Sequence, residues 1–136
     1  LGRDSYDMLK LLSCDDRLRT CFDTNHLFYE DVGEYIHKVG SKLITTHVSD
    51  FDYKNERHWL PGEGKVDWIK LIDALRSVGY EGPWLYELDY KAPETIKRRQ
   101  LTAMDFKNNY DILMDNKIPQ ALGTPVEEKC VHWKER

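Results

Sequence analysis

The sequence predicts an α/β fold in which a parallel sheet is covered by helices. Short apolar runs with few polar interruptions begin near Leu18, Lys42 and Trp84, and amphipathic stretches alternate with them. The spacing between runs leaves room for the long crossover that parallel strands need. Each run also ends in a residue able to bind a metal: Asp23, His47 and Glu87. Parallel sheets gather ligands at the C-terminal ends of their strands, so all three fall on one side.

Each element has a local reason. Asp4 or Ser5 caps a helix to about Leu12, with Met8, Leu9, Leu11 and Leu12 as its apolar side. Ser13 to Asp16 is a polar turn, and Leu18 to Phe22 is the first strand. Tyr29 to Val39 reads as a helix, because Val32, Tyr35, Ile36 and Val39 recur along one face. Glu30 and Asp31 suit its positive end, and Gly40 supplies a left-handed cap. Lys42 to Val48 is a strand rich in β-branched residues.

Asp50 to Gly64 is too long for a plain connection and, with Trp59, Leu60 and Pro61, too apolar for disorder. Asp67 then caps a helix to about Val78, whose apolar face includes Trp68, Leu71, Ile72 and Leu75. Trp84 to Leu88 is the third strand, and Asp89 to Gln100 is a polar loop holding Lys97, Arg98 and Arg99. Thr102 and Asp105 form a capping box for a helix to about Met114, with Leu101 placed to staple against Phe106. Beyond Asn116 the pattern fades into a tail.

Composition narrows the function classes. The 136 residues suffice for one domain with a real core. Twenty basic against 24 acidic residues, a net charge of -4, disfavours a nucleic-acid surface. No apolar run approaches the roughly 20 residues that cross a bilayer. Cys14, Cys21 and Cys130 are an odd count without metal-type spacing, which fits reduced thiols in a cytoplasmic protein. Leu1-Gly2-Arg3-Asp4 is no signal peptide and has no initiator Met, so the chain is expected to start downstream of its gene's start.

Four motifs carry a resemblance. They are Cys21-Phe22-Asp23-Thr24-Asn25-His26; Thr46-His47-Val48-Ser49-Asp50; Leu60-Pro61-Gly62-Glu63-Gly64-Lys65-Val66-Asp67-Trp68; and Trp84-Leu85-Tyr86-Glu87-Leu88. In this order they resemble the C-terminal half of the xylose-isomerase-like TIM barrels. That superfamily holds sugar-phosphate isomerases and epimerases, ketose 3-epimerases, inosose dehydratases and, more distantly, an abasic-site endonuclease. The resemblance covers residues 1–115, with 116–136 as the tail.

The resemblance implies that the three strands are the sixth to eighth of a (β/α)8 barrel. It also implies one divalent metal, held by Glu, Asp, His and Glu from strands five to eight. Asp23, His47 and Glu87 match three of these ligands, and the fourth is expected upstream of Leu1. A lone three-stranded sheet has two open edges, which are prone to aggregation. The chain is therefore expected to be part of a longer polypeptide, or to be closed by a second chain, a homo-oligomer being one form of this.

The chemistry that follows is proton transfer. Two or three carboxylates and one imidazole suit Mn²⁺, Mg²⁺, Co²⁺ or Zn²⁺. Such an ion polarises adjacent oxygens of a sugar or polyol and stabilises an enediolate, while a carboxylate moves the proton. By resemblance Glu87 does this from one face and the strand-five Glu from the other. His26 is assigned a substrate or proton-relay role, Arg57 and His58 bind substrate, and His58 is also a second-metal candidate. Asp50 is placed to orient His47 or a water.

Plainer readings stand beside these. A single carboxylate after a strand caps a helix, a single histidine is buried and hydrogen-bonded, and His26 alone is a loop histidine. Glu63 reads as a turn residue, His37 as part of a solvated face, and His132 as a tail residue. Trp59 and Trp68 read as packing, with Trp59 also a candidate pocket wall. Lys97-Arg98-Arg99 either meets a substrate phosphate or forms a solvated loop. The leading function is a sugar or sugar-phosphate isomerase or epimerase. The others are an inosose-dehydratase-like lyase, an endonuclease disfavoured by the net charge, and a non-catalytic barrel fragment acting as an interaction module.

Overall fold

The computed structural model describes residues 4–127. Cys130 and His132 lie outside them. The order is α1 (Ser5–Leu12), β1 (Thr20–Asp23), α2 (Val32–Val39), β2 (Leu43–Val48), α3 (Trp68–Ser77), β3 (Trp84–Tyr86), β4 (Ile96–Lys97), α4 (Ala103–Met114) and β5 (Thr124–Pro125). β1, β2 and β3 form one sheet in that order, and both pairings are parallel. Among the described residues, the outer edges of β1 and β3 carry no further strand.

One side of this sheet is the core. Phe22, Leu43 and Val48 pack with Tyr35, Ile36 and Val39 of α2, Leu71, Ile72 and Leu75 of α3, and Leu113 of α4. The apolar stripes of α2 and α3 expected from spacing are thus the buried faces. Alternate residues of a strand point to opposite sides. Cys21 and Asp23, between and beyond buried Thr20 and Phe22, are only partly covered, and Leu85 is 45% exposed. The second side of the sheet is open.

Caps fix where helices begin. Asp4 accepts from Asp7 N–H and starts α1. The second helix starts at Val32 rather than Tyr29, because Asp31 Oδ1 accepts from the Gly33 and Glu34 amides. Glu30 stays outside and ties α1 to α2, accepting from Ser5 Oγ at 2.7 Å and Lys38 Nζ at 2.6 Å. The Thr102–Asp105 capping box of α4 forms as expected. The apolar side of α1 is only half used: Leu12 is buried, while Leu9 and Leu11 are 40% and 41% exposed.

The largest departures are in the loops. Residues 50–64 are irregular but tied by an antiparallel bridge between Asp50 and Trp59. The loop after β3 contains β4, which pairs antiparallel with β5 from the stretch read as a featureless tail. Gly62, at φ 99°, lies so close to Pro119 that a Cβ would stand 2.3 Å from the Pro119 carbonyl oxygen. Residues 117–125 therefore return to the loops after β2 and β3. Among the described residues, no helix is long and apolar enough to cross a membrane.

Candidate metal centre

The strand register builds the site. Asp23, the last residue of β1, is the register partner of His47 in β2. The ladder runs one residue past β3, where Glu87 N–H donates to the Val48 carbonyl at 2.9 Å, and this sets Glu87 beside His47. One ligand atom from each of Asp23, His47 and Glu87 lies within 4.8 Å of the others. His47 Nδ1 is 3.8 Å from Asp23 Oδ2 and 3.4 Å from Glu87 Oε1. The three residues that close the apolar runs thus converge.

The electrostatics suit a cation. Burial pushes the Asp23 carboxyl above its ordinary value; the Asn25 amide opposes this, and the neighbouring Glu87 carboxylate adds to it. Asp23 Oδ1 accepts from Asn25 N–H at 2.9 Å, which leaves Oδ2 facing His47. Glu87 Oε2 is buried without a hydrogen-bond partner. Two close carboxylates, one holding an unsatisfied buried oxygen, with an imidazole beside them make a donor set that fits a divalent ion. Among the described residues no other group of three or more His, Cys, Asp and Glu converges this way.

A buried set of hydrogen bonds joins the loops after β1 and β2. Thr24 Oγ1 donates to the Ser49 carbonyl at 2.5 Å and accepts from Ser49 N–H at 2.9 Å. Asn25, 0% exposed, donates its side-chain amide to Ser49 Oγ and accepts from Arg57 N–H at 2.9 Å. Sequence reasoning assigned Asn25 and Ser49 no role. Their only signal was a polar pair directly after two strands.

The candidate substrate residues sit around this centre. His26 is exposed, with Nε2 3.6 Å from Asp23 Oδ2 and Nδ1 3.1 Å from Glu56 Oε1. Glu56, another residue the sequence did not flag, also lies 3.9 Å from His58 Nε2. His58, at φ 50°, points Nδ1 at the Glu87 carbonyl, 2.9 Å away. A cleft of about 570 Å³ is lined by Arg57, His58, Glu87, Asp89, Lys91 and Glu94, among others. Arg57 lies in its wall, but its guanidinium is held by Asp52 at 2.9 Å and stands 5.7 Å above the Trp59 ring.

Three expectations are corrected. Asp50 does not orient His47: its carboxylate accepts from the Phe51, Gly62 and Val66 amides and Trp68 Nε1, at 2.8–3.1 Å, and so organises the loop before α3. Glu63 is more than a turn residue, because it forms a fully buried ion pair with Arg98 at 2.8 Å. Lys97-Arg98-Arg99 is accordingly neither a phosphate clamp nor a uniformly solvated run, since Arg98 is interior and Arg99 pairs with Asp105 at 2.7 Å. Trp59 and Trp68 are both buried, and Trp59 lines a second cleft rather than the first. His37 is exposed, as expected, and meets Ser77 Oγ at 2.7 Å.

The family described as xylose isomerase-like TIM barrel matches residues 3–106. Fructoselysine 3-epimerase of Escherichia coli O157:H7 is 39% identical over 59 residues, which cover 43% of this chain and 22% of that protein. D-psicose 3-epimerase of Ruminiclostridium cellulolyticum is 26% identical over 122 residues, covering 88% of this chain and 40% of that protein. A crystal structure of a D-tagatose 3-epimerase-like protein matches with a TM-score of 0.63 at 20% identity, over 85% of this chain and 41% of that one. A 3-keto-D-glucoside 4-epimerase from E. coli matches with a TM-score of 0.62 at 21% identity, over 83% of this chain and 40% of that one. These likenesses show the fold. The chain spans less than half the length of these relatives.

Proposed function

Since the chain belongs to the xylose isomerase-like TIM barrel family, we propose that it supplies three of the metal ligands and one catalytic carboxylate of a sugar epimerase or isomerase. The observation that carries this reading is the convergence of Asp23, His47 and Glu87 within 4.8 Å at adjacent strand ends. The printed activities of the relatives, epimerases acting on fructoselysine, D-psicose and a 3-keto-glucoside, support the same reaction class.

In this reading β1, β2 and β3 are strands six to eight of a (β/α)8 barrel. Their open side faces its interior, and another segment or a second chain closes it. Asp23, His47 and Glu87 hold one divalent ion, with a further carboxylate coming from the strand that would neighbour β1. A divalent ion held there would supply Lewis acidity to the sugar. Glu87 takes the proton from the hydroxyl-bearing carbon next to the sugar carbonyl, and the C–H bonding pair moves toward the carbonyl oxygen. When the pair returns to that carbon, the further carboxylate delivers a proton to its opposite face, while Glu87 keeps the first. His26 and His58, on the rim, hydrogen-bond sugar hydroxyls, and Arg57 shapes the wall of the cleft.

The test is metal content and turnover. With the barrel completed by the rest of a polypeptide or by a second chain, the protein should retain one divalent ion per barrel after dialysis and should epimerise at least one member of a ketose panel, whereas the chain by itself should be inactive. Glu87→Gln in the completed barrel should abolish turnover. A completed wild-type barrel that holds no ion, or a Glu87→Gln variant of it with undiminished turnover, contradicts the reading.

A further inference from the structure

Resting on the epimerase reading above, we propose that Glu56 is a positioning residue, whose carboxylate sets which ring nitrogen His26 offers to the substrate. Glu56 lies in the loop after β2, and His26 ends the short 3-10 turn after β1. Glu56 Oε1 stands 3.1 Å from His26 Nδ1, and Oε2 stands 3.9 Å from His58 Nε2. One carboxylate thus reaches a histidine on each of the two loops.

The backbone fixes where this carboxylate sits. Asp52 Oδ1 accepts from the Asn55 amide at 3.3 Å, and the buried Asn25 Oδ1 accepts from the Arg57 amide at 2.9 Å. The amides on both sides of Glu56 are therefore tied down, the second of them to the residue before His26. His58 is tied as well, with Nδ1 2.9 Å from the Glu87 carbonyl oxygen and 3.5 Å from Ser49 Oγ. The Glu56 side chain itself is 50% exposed, so replacing it leaves the core intact.

The chemistry follows from what each partner can do. An ionised carboxylate only accepts. Beside it, the hydrogen of a neutral imidazole is drawn to the nearer nitrogen, and the other nitrogen keeps its lone pair. Two carboxylates compete for the His26 ring in this way. Glu56 is 3.1 Å from Nδ1, whereas Asp23 Oδ2 is 3.6 Å from Nε2, and in the epimerase reading Asp23 is committed to an ion. The hydrogen therefore belongs on Nδ1, and Nε2 turns its lone pair toward the ligand set, where it accepts from a sugar hydroxyl. His58 reaches the same state by another route. The Glu87 carbonyl can only accept, so Nδ1 holds the hydrogen and Nε2 is the acceptor. Without Glu56 the pull of Asp23 moves the His26 hydrogen to Nε2 and turns that nitrogen from acceptor to donor.

Long-range ¹H–¹⁵N spectra of the Mg²⁺-loaded, completed barrel test this at about two pH units above the ordinary histidine pKa, where the ring is neutral. The His26 signals are assigned by their loss in His26→Gln. In the wild type, His26 should carry its hydrogen on Nδ1 and none on Nε2. Glu56→Ala should move the hydrogen to Nε2 and lower kcat/KM on a ketose about 10–100-fold, chiefly through KM. Its Mg²⁺ affinity and urea midpoint should stay at the wild-type values. Glu56→Gln, which keeps an acceptor, should hold the wild-type tautomer and most of the activity. A wild-type hydrogen on Nε2, or a Glu56→Ala variant with unchanged tautomer and kcat/KM, overturns the inference and leaves the epimerase reading standing. A fall in kcat/KM that comes with a lower urea midpoint and an unmoved hydrogen also overturns it. A completed wild-type barrel that holds no ion and turns over no ketose overturns the epimerase reading, and the inference with it.

Discussion

Asp23 and His47 are register partners on adjacent parallel strands, with Oδ2 of one 3.8 Å from Nδ1 of the other. Neither long loops nor helix packing is needed to bring them together. The sheet alone does it, and Glu87 joins through one further ladder hydrogen bond. Substitutions here should therefore change ion binding without dismantling the fold. Asp23→Asn should remove most divalent-ion affinity, measured by calorimetry. A saturating ion at a hundred times its Kd stabilises a folded protein by about 2.7 kcal/mol. That gain should appear in the wild type on adding Mn²⁺ and be largely missing in Asp23→Asn.

The same carboxyl sets a pH dependence. Burial raises the Asp23 pKa above its ordinary value of 3.8 in the folded chain. For a carboxyl shifted in that direction, the stabilising contribution is full below the unfolded pKa and is lost as pH rises through the folded one. In metal-free protein, wild-type stability relative to Asp23→Asn should therefore decline as pH climbs from 3.8 into the mildly acidic range. Urea melts of both proteins across that range measure the difference. A flat difference, or one that grows, rules out the burial effect.

Arg98 and Glu63 provide a second test, this one of stability. With both side chains 0% exposed, removing one partner leaves a buried charge. Glu63→Leu or Arg98→Met should each cost about 3–5 kcal/mol, and the Glu63→Leu/Arg98→Met double variant should recover much of that loss. Denaturant midpoints of the three variants decide it. If the single losses simply add, the pair is not coupled.

Asn25 should matter without touching an ion. Asn25→Ala strands the Arg57 amide and Ser49 Oγ in the interior and should cost about 1–3 kcal/mol. Because Asn25 N–H also steadies Asp23 Oδ1, any metal affinity should fall only through misalignment of that loop, by about 10–100-fold at most. Full retention of both stability and affinity would show that the network is dispensable.

The strands, the helices and the three convergent residues were legible because each rests on local pattern. Val32, Tyr35, Ile36 and Val39 repeat at helical spacing, and Asp23, His47 and Glu87 each close an apolar run. Position in a parallel sheet then does the rest. What escaped depends on contacts that no short window contains. Glu63 and Arg98 are 35 residues apart, and nothing near either marks it as interior. Asp50 looked like a neighbour of His47 because it lies three residues on. Yet the strand ends at Val48, and Asp50 turns into a different cavity of donors. The pairing of Thr124–Pro125 with Ile96–Lys97 joins two stretches of weak pattern, so it is visible only in three dimensions.

The bare side and the two free edges of the β1–β2–β3 sheet bear on how the molecule behaves as concentration rises. Leu85 is 45% exposed on that side, and among the described residues no strand uses the outer backbone donors and acceptors of β1 and β3. Produced by itself, the chain should stay dispersed only when dilute and should self-associate on concentration. Light scattering that grows with protein concentration, and subsides when the rest of a barrel is supplied, would be the macroscopic trace of this incompletely sealed sheet.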